Sequence, residues 1–378
     1  MITPRPEVRG TPTAEHGGRF AAGRSLAATE LIRHDFSVCL NAFGPAAVVS
    51  RAIESARIDE YPDPHSRAAR MAAAQRWNCS PSEIALGAGA AELIHAVCFA
   101  FLRRGDHVLI AEPAFGEYAR AAALHGSRPL LVRAPDAAPA TAALSLLAAE
   151  LRRTRPRMVF AAAPVSPTGE AVDVATLREL ADACRAADTL LVLDQAYDAF
   201  TAAPLGTPAL RGHTHVLHLR SLTKDHALAG VRAAFAIAPS ETISALEHGR
   251  APWAASAPAQ AAAVAAMTDE ADVHVRRTTT LLRAEAQRVV TRCTELGLET
   301  SRSSTHFLVI RCGNGCLARD RLLSEHGILV RECASFGLPE WIRVAARTTP
   351  DTDALIAALD YLSPSTPGFN DTHALEEG

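Results

Sequence analysis

Short apolar runs and longer amphipathic segments alternate from Asp106 to Ala238, and this alternation restricts the fold more than any other feature of the sequence. The apolar runs, such as HVLIA, RMVFAAA and TLLVLD, are nearly continuous in Val, Leu and Ala. Such runs are typical of parallel strands buried on both faces, with a helix between one strand and the next. The sequence therefore predicts an α/β fold with a mostly parallel central sheet and helices on both faces. We expect the last run, RAAFAIA, to be parallel as well.

The length of the chain predicts more than one domain. Its 378 residues, 48% of them hydrophobic, exceed the usual size of a single domain. Ala-rich helical segments leave the sheet layer after residue 253 and lead to strands and helices typical of a smaller α+β domain. We assign residues 55–260 to the large domain and residues 31–54 and 261–363 to the small domain. Residues 1–30 and 364–378, which are rich in Pro, Gly and Thr, are predicted to be a flexible extension and a flexible tail.

Charge and cysteine content exclude several classes of function. The net charge is -3 with basic and acidic residues interspersed, so we expect neither nucleic acid nor a membrane as a partner. The amino terminus has no apolar signal segment, and no stretch approaches the roughly 20 apolar residues that cross a bilayer. Eight cysteines at irregular spacing are typical of reduced thiols, and the close pair Cys312 and Cys316 lacks the second pair of a zinc site. We therefore expect a cytoplasmic protein without a bound metal.

Lys224 is the only lysine among the 38 Lys and Arg residues of the chain. A GC-rich genome, which favours Arg and Ala codons, explains why lysines are rare but not why this one is retained. Arginine stays protonated and forms no imine, whereas a lysine can lose its proton in a suitable site. The single lysine therefore indicates an amine nucleophile.

Polar residues follow four of the apolar runs, where the carboxyl ends of parallel strands gather functional groups. They comprise a Gly-rich loop that opens a helix, a turn with a hydroxyl, a carboxylate followed by a phenol, and a segment with two hydroxyls, an amine and a guanidinium. In chain order these are Gly87–Glu92 with Ala90 and Ala91, then Ser166, then Asp194 with Tyr197, and finally Ser221, Thr223, Lys224 and Arg232.

Together these groups suit pyridoxal 5'-phosphate (PLP) as a cofactor. Amides at a helix start, hydroxyls and an arginine bind a phosphate, a lysine reaches an aldehyde on the same molecule, and a carboxylate keeps a pyridine nitrogen protonated. In isolation, Asp194 is also typical of a helix cap and the Gly-rich loop of a plain helix start. A dinucleotide-binding loop is disfavoured because Glu92 stands at its third glycine position.

The order and spacing of these motifs resemble fold-type I PLP enzymes of the class I/II aminotransferase superfamily, in particular the histidinol-phosphate aminotransferase branch, from Leu40 to Tyr361. The motifs that carry the resemblance are Leu40-Asn-Ala with Gly44-Pro45, Glu60-Tyr-Pro-Asp63, Glu112-Pro-Ala-Phe115, Pro167-Thr-Gly169, Asp194-x-Ala-Tyr197, Ser221-x-Thr-Lys224 with Leu228-Ala-Gly-x-Arg232, and Gly327-Ile-Leu-Val-Arg331 through Phe336-Gly-Leu-Pro339 to Arg343. The resemblance implies an aminotransferase that moves an amino group from an amino acid or amine donor to a 2-oxo acid acceptor. It also implies a homodimer.

The resemblance further implies a role for each matching residue. Three would be catalytic: Lys224 forms the Schiff base with PLP and shuttles a proton, Asp194 faces the pyridine nitrogen, and Tyr197 donates to the phenolic oxygen. The other cofactor contacts would be Phe115, stacked on the ring, Ser166 near the phenolic oxygen, and, around the phosphate, Ala90, Ala91, Ser221, Thr223, Arg232 and the partner-subunit copy of residue Tyr61. Arg343 would bind the carboxylate or phosphate of the substrate, with Phe43 at the mouth of the site.

Several positions depart from the family pattern. Ser166 stands where the family usually has an asparagine that donates to the phenolic oxygen, Ala90 and Ala91 replace the common Ser or Thr and Asp, and Gln195 replaces an acidic residue. These departures favour a specialised biosynthetic pathway. They also leave an alternative, a PLP-dependent lyase of the same fold that decarboxylates, eliminates or cyclises its substrate. A non-catalytic regulator is disfavoured, because the residues before the fold are too few for a helix-turn-helix domain.

Overall fold

The computed structural model describes residues 2–21, 29–134, 138–206, 210 and 212–362. The tail predicted for residues 364–378 lies outside this part of the chain. The domain boundaries and the flexibility of residues 1–30 stay predictions.

The strands and helices follow one another as the sequence periodicity predicts. The strands are β1 (His34–Asp35), β2 (Ile84–Gly87), β3 (His107–Glu112), β4 (Arg128–Arg133), β5 (Met158–Ala162), β6 (Leu190–Asp194), β7 (Val216–Ser221), β8 (Ala234–Ile237), β9 (Phe307–Arg311), β10 (Ile328–Leu329), β11 (Arg331–Glu332) and β12 (Trp341–Ala345). The helices are α1 (Pro6–Gly10), α2 (Ala47–Glu54), α3 (Arg67–Trp77), α4 (Ala90–Phe101), α5 (Glu117–Leu124), α6 (Ala142–Thr154), α7 (Val174–Ala186), α8 (Leu222–Asp225), α9 (Ser240–His248), α10 (Ala257–Ala266), α11 (Asp269–Glu295), α12 (Gly315–His326) and α13 (Thr349–Ala358). None of the described helices is long and apolar enough to span a bilayer.

A seven-stranded sheet with the order β2-β8-β7-β6-β5-β3-β4 forms the centre of the molecule. Strands β3 to β7 pair in parallel, whereas β8 runs antiparallel to both β7 and β2. The prediction of a mostly parallel α/β sheet is confirmed, but the prediction that RAAFAIA is parallel is wrong. A parallel strand needs a crossover that returns the chain to the opposite end of the sheet. The link between β7 and β8 holds only the one-turn helix α8, so β8 starts at the end where β7 finishes.

The parallel strands are buried on both faces, as their continuous apolar sequence predicts. In β3, Val108 and Ile110 belong to one hydrophobic cluster, which includes residues of α4 and α5. Leu109 between them belongs to another cluster, which includes residues of α6 and α7. Successive side chains point to opposite faces of a strand, so each face needs its own layer of helices.

A three-stranded antiparallel sheet, β11-β12-β9, and the short parallel pair β1 and β10 form a second, smaller unit. Its core packs strand residues against α11, α12 and α13. The segment GILVR, predicted as one strand, is divided at Val330, because β10 pairs with β1 and β11 pairs with β12. This division places Arg331 directly opposite Arg343 in the antiparallel register.

Candidate active site

The carboxyl ends of β5, β6 and β7 lie side by side and carry most of the predicted polar groups. Ala162 at the end of β5 is aligned with Asp194 at the end of β6, and β7, the next strand, ends at Ser221. The chain passes from β7 directly into α8, which contains Lys224. Adjacent strands thus bring residues from separate segments of the sequence to one edge of the sheet.

Asp194 is a buried carboxylate with two hydrogen-bond donors. Its Oδ2 accepts from the Tyr118 hydroxyl at 2.6 Å, and its Oδ1 accepts from the Ala196 N–H at 2.9 Å. Burial nevertheless raises the pKa of Asp194, although both hydrogen bonds and the charge of Lys224 lower it. A further cation beside the carboxylate would favour its ionised form. Tyr118 was missed by the sequence reasoning, and its position one helical turn after Phe115 is the signal that could have identified it.

The Lys224 ammonium group lies 5.7 Å from the centre of the Tyr197 ring. Burial lowers the pKa of Lys224, and the charges of Arg343 and Arg232 lower it further. Burial raises the pKa of Tyr197 well above its usual value, so this hydroxyl stays protonated and can donate a hydrogen bond. The site therefore shifts Lys224 toward the neutral amine and keeps a phenol donor beside it.

Asn41 holds the Lys224 turn in place from another segment of the chain. Its backbone N–H donates to the Lys224 carbonyl at 2.9 Å, and its side-chain amide donates to the Asp225 carbonyl at 2.9 Å and to Thr278 Oγ1 at 2.7 Å. Thr278 lies on α11, so Asn41 connects the lysine to the long helix. The sequence reasoning included Asn41 in a family motif but gave it no role.

The start of α4 and the loop after α8 form a cradle suited to an anion. Gly89 precedes α4 with a φ of +89°, and a Cβ atom there would lie 2.5 Å from Nη2 of Arg232. Arg232 itself has a φ of +61°. Its guanidinium thus approaches the amino end of α4, where the N–H groups of Ala90 and Ala91 have no carbonyl partner within the helix. The buried hydroxyl residues at the end of β7 and in α8 are Ser221 and Thr223. A helix amino terminus with a guanidinium and hydroxyls is suited to a phosphate.

Phe115 lies half-buried between the sheet edge and the amino-terminal segment. Its ring packs edge-on against Tyr118 at 5.7 Å and lies 5.7 Å from the ring of His16. The Nε2 of His16 is 3.1 Å from Glu117, and the Gly18 N–H donates to Ser37 Oγ at 2.8 Å. Residues 16–18 therefore cover the Phe115 side of the site.

Arg343 and Arg331 lie opposite each other on β12 and β11, and both are buried. Their guanidinium carbon atoms lie 5.9 Å and 5.4 Å from the centre of the Phe336 ring. Arg343 donates through Nη2 to the Ser37 carbonyl at 2.9 Å, whereas its Nε has no hydrogen-bond partner among the described residues. The sequence reasoning missed Arg331 as a site residue, because its position relative to Arg343 depends on strand register.

His306 is another buried residue that the sequence reasoning missed. Its ring stacks on Phe200 at 3.9 Å, and neither ring nitrogen has a hydrogen-bond partner within the described part of the chain. Burial lowers the pKa of His306 to about 3, with the charges of Arg343 and Lys224 adding to the effect. The ring is therefore neutral. No motif marks it, since its surroundings come from distant segments.

Of the other predicted residues, two are exposed and one is buried. Tyr61 is 83% exposed, and its ring lies 4.8 Å from that of Trp253. Phe43 is 38% exposed, with its N–H bonded to the side chain of Asn41 at 3.1 Å. Ser166 is buried in the loop after β5.

The residues present fit PLP. The cradle at Gly89 and Arg232 has no room for a side chain, since a Cβ atom on Gly89 would lie 2.5 Å from the guanidinium, and it offers donors to a phosphate. Asp194 is a buried carboxylate that a protonated pyridine nitrogen would compensate, and Lys224 supplies an amine for an aldehyde.

Comparison with known proteins identifies the family. The family model for aminotransferase class I and II matches residues 39–359. The histidinol-phosphate aminotransferase of Geobacillus thermodenitrificans is 30% identical over 327 residues, which cover 85% of this chain and 88% of that protein. Histidinol-phosphate aminotransferase 1 of Cupriavidus pinatubonensis is 31% identical over 311 residues, 81% of each chain.

Solved structures agree with this assignment. The histidinol-phosphate aminotransferase of Sinorhizobium meliloti, in complex with pyridoxal-5'-phosphate, superposes with a TM-score of 0.82 at 26% identity and covers 94% of this chain and 96% of its own. The aspartate aminotransferase of Thermus thermophilus with maleate has a TM-score of 0.82 at 20% identity, which indicates a shared fold. These relatives give the lyase alternative no support. The chain therefore belongs to the aminotransferase class I and II family, as the sequence motifs predicted, and is a fold-type I aminotransferase that depends on PLP.

Proposed function

We propose that this aminotransferase takes a donor whose anionic group binds Arg343 and transfers the donor's amino group to a 2-oxo acid, with Lys224 as the residue that binds PLP and moves the proton. The observation that carries the proposal is the environment of Arg343. Its guanidinium is buried, and the described part of the chain offers it a carbonyl at 2.9 Å but no carboxylate within ion-pair distance. A buried cation without a counter-ion is unfavourable, and a substrate carboxylate or phosphate would compensate it.

The position of Arg343 relative to Lys224 supports the same assignment. The charge of Arg343 lowers the pKa of Lys224, so the two groups share one electrostatic environment. A donor anchored at Arg343 would present its amino-bearing carbon toward Lys224. Anchoring of this kind contributes to rate by holding the reacting carbon in one orientation.

Each protein residue of the site would have a separate role toward PLP. When bound, PLP supplies an electron sink for the carbon that carries the donor's amino group. Asp194 would keep a proton on the pyridine nitrogen, and Tyr197 would donate to the phenolic oxygen. Lys224, whose pKa burial lowers, would take the proton from the donor carbon and return it at C4′. The remaining contacts would come from Phe115 and Ser166 and, at the phosphate, from Ala90, Ala91, Ser221, Thr223 and Arg232.

A homodimer would complete the site with Tyr61 of the partner subunit. The exposure of Tyr61, at 83%, supports this arrangement, because the residue does not serve the buried site of its own chain. Phe43, partly exposed, would lie at the mouth of the site.

Two further features bear on the setting of the enzyme. No disulfide joins the cysteines of the described residues, which supports a reducing, cytoplasmic location. The shorter side chain of Ser166 in place of the family's asparagine supports a specialised biosynthetic pathway.

The test is a comparison of Arg343→Ala with a matched variant, Arg311→Ala. Arg311 lies on the neighbouring strand β9 and pairs with exposed Glu299 and Glu340, away from the site. For donors that support transfer, Arg343→Ala is expected to lower kcat/KM at least about thirtyfold, since a buried charge pair is lost, while Arg311→Ala stays near wild type. Equal kcat/KM in Arg343→Ala and wild type would contradict the proposal. So would release of carbon dioxide or ammonia without a 2-oxo acid product.

A further inference from the structure

We propose that Glu15 determines donor specificity: its carboxylate lies on Arg331 and selects against donors that carry a second negative charge. This inference rests on the proposed function, in which Arg343 binds the first anionic group of the donor. It concerns the other arginine of the facing pair and the amino-terminal segment that covers it.

The guanidinium of Arg331 makes hydrogen bonds with two residues that follow it closely in the chain, Glu332 and Ser335. Its Nη1 pairs with Glu332, whose second carboxylate oxygen accepts from the Ala334 N–H at 2.8 Å. Its Nη2 donates to Ser335 Oγ at 2.6 Å. Both Arg331 and Glu332 are buried, at 6% and 5% exposure. The charge of Arg331 is therefore already compensated by its neighbour.

Glu15 adds a second carboxylate to the same guanidinium. Its Oε2 lies 3.5 Å from both Nη1 and Nη2 of Arg331, and its backbone carbonyl accepts from Nη2 at 3.4 Å. The next residue, His16, lies against Phe115, with 5.7 Å between the ring centres. The segment thus runs from Arg331 to the aromatic ring of the site. A donor held at Arg343, directly opposite Arg331, would extend its far end toward Glu15.

The charges of this cluster are unevenly distributed. Arg331 with Glu332 and Glu15 carries one net negative charge, whereas Arg343 alone carries one net positive charge. A donor with a single carboxylate compensates Arg343. A second anionic group at its far end would meet two carboxylates on Arg331, the buried Glu332 and Glu15, whose side chain is 63% exposed. Like charges a few Å apart repel, and the low exposure of Glu332 and Arg331 limits the screening by water. A far end that is neutral or cationic meets no such repulsion.

Matched donors and variants test this inference in the PLP-loaded enzyme. The donor pair is L-glutamate and L-glutamine, which differ only in the charge of the far end, and the variants are Glu15→Gln and Glu7→Gln. Glu7 lies on the same amino-terminal segment but pairs with Arg104, so it serves as the control. Glu15→Gln is expected to raise the kcat/KM ratio of glutamate over glutamine at least about tenfold, while Glu7→Gln keeps the wild-type ratio. An unchanged or lower ratio in Glu15→Gln would overturn the proposal.

A binding measurement separates this inference from the proposed function. Succinate and butyrate, a dicarboxylate and a monocarboxylate of the same length, are titrated into the PLP-loaded protein by calorimetry. Glu15→Gln is expected to tighten succinate binding by about the same tenfold and to leave butyrate unchanged. Equal tightening of both ligands, or of neither, would contradict the role of Glu15. This result stands even if no donor supports amino transfer, an outcome that would instead contradict the proposed function.

Discussion

At the scale of single residues, Asp194 has opposite effects on function and on stability. Its carboxylate is placed to compensate a cationic ring nitrogen, but without that cation it is a buried charge whose pKa is raised by burial. A residue with a raised pKa binds its proton more tightly in the folded state than in the unfolded state. The stability it contributes is complete below the ordinary aspartate pKa and is lost as the pH rises through the raised value.

We therefore predict that Asp194→Asn stabilises the protein prepared without PLP and impairs the enzyme with PLP. The amide can still accept from the Ala196 N–H and can donate to Tyr118, so both contacts of the side chain are retained. The Tm of cofactor-free Asp194→Asn should exceed that of wild type at neutral pH by an amount that corresponds to about 1 kcal/mol or more. The difference should vanish at acidic pH, and turnover with PLP should fall by at least about a hundredfold.

Asp198 provides the control for this prediction. It is buried like Asp194, but it pairs with Arg220 at 2.6 Å and accepts from two backbone N–H groups. Asp198→Asn should lower the Tm, because it leaves the partly buried Arg220 without its counter-ion and two backbone N–H groups with a weaker acceptor. If both asparagine variants shifted the Tm in the same direction, the assignment of Asp194 as an uncompensated carboxylate would be wrong.

At the scale of elements, the start of α4 depends on the absence of a side chain at Gly89. We predict that Gly89→Ala weakens PLP binding at least about tenfold, because its Cβ would lie 2.5 Å from Arg232 Nη2 and displace the guanidinium. The dissociation constant can be measured by titrating the cofactor-free protein with PLP and following absorbance.

Gly105 is a matched control for the positive φ. It has the same φ of +89°, but a Cβ there would meet nothing within 4 Å. Gly105→Ala should cost about 1–2 kcal/mol of stability through backbone strain and leave the PLP dissociation constant unchanged. A similar loss of affinity in both variants would show that strain, and not contact with Arg232, is responsible.

The elements also differ in how well the sequence predicts them. Helix α7 begins directly after Asp173, a residue type favoured as a helix cap, whose side chain accepts from the Thr176 N–H at 2.8 Å. The signal is local. The direction of β8 was mispredicted because it depends on where the chain re-enters the sheet, which local periodicity does not encode.

At the scale of the whole molecule, the proposed dimer makes each site depend on two chains. We predict a mass of twice the 40.0 kDa of one chain in solution and low activity for both Lys224→Ala and Tyr61→Ala. Unfolding and refolding the two variants together should restore about a quarter of wild-type activity, since half of the dimers would contain one intact site.

Tyr361→Ala is the control for the loss of an exposed tyrosine. Tyr361 is 45% exposed and packs on His326, away from the sheet edge. The Tyr361→Ala variant should be active by itself, without co-refolding with a second variant. No activity above the sum of the separate Lys224→Ala and Tyr61→Ala samples would contradict a shared site.

The sequence predicts those site residues whose own segment shows both where they lie in the fold and what their side chains can do. Lys224, Asp194 and Arg232 each follow an apolar strand in the sequence, and strand ends meet at one edge of a parallel sheet. Their placement together was therefore expected before the fold was known. The single lysine strengthened the assignment, because only one side-chain amine was available for an aldehyde.

Other parts of the site depend on contacts between distant segments. Glu15 meets Arg331 across more than 300 residues, and Asn41 meets the Lys224 turn from another part of the chain. Arg331 and Arg343 face each other because of the register between β11 and β12, and a shift of that register by one residue would separate them.

The sequence by itself determined the α/β architecture, the cofactor and the lysine, since periodicity, strand-end polarity and residue chemistry are local properties. Only the tertiary structure decided the direction of β8, the raised pKa of Asp194 and the charges around the arginine pair. The physical reason is that burial and electrostatic interactions depend on distances in space, and the chain sets those distances only when its separate segments pack together.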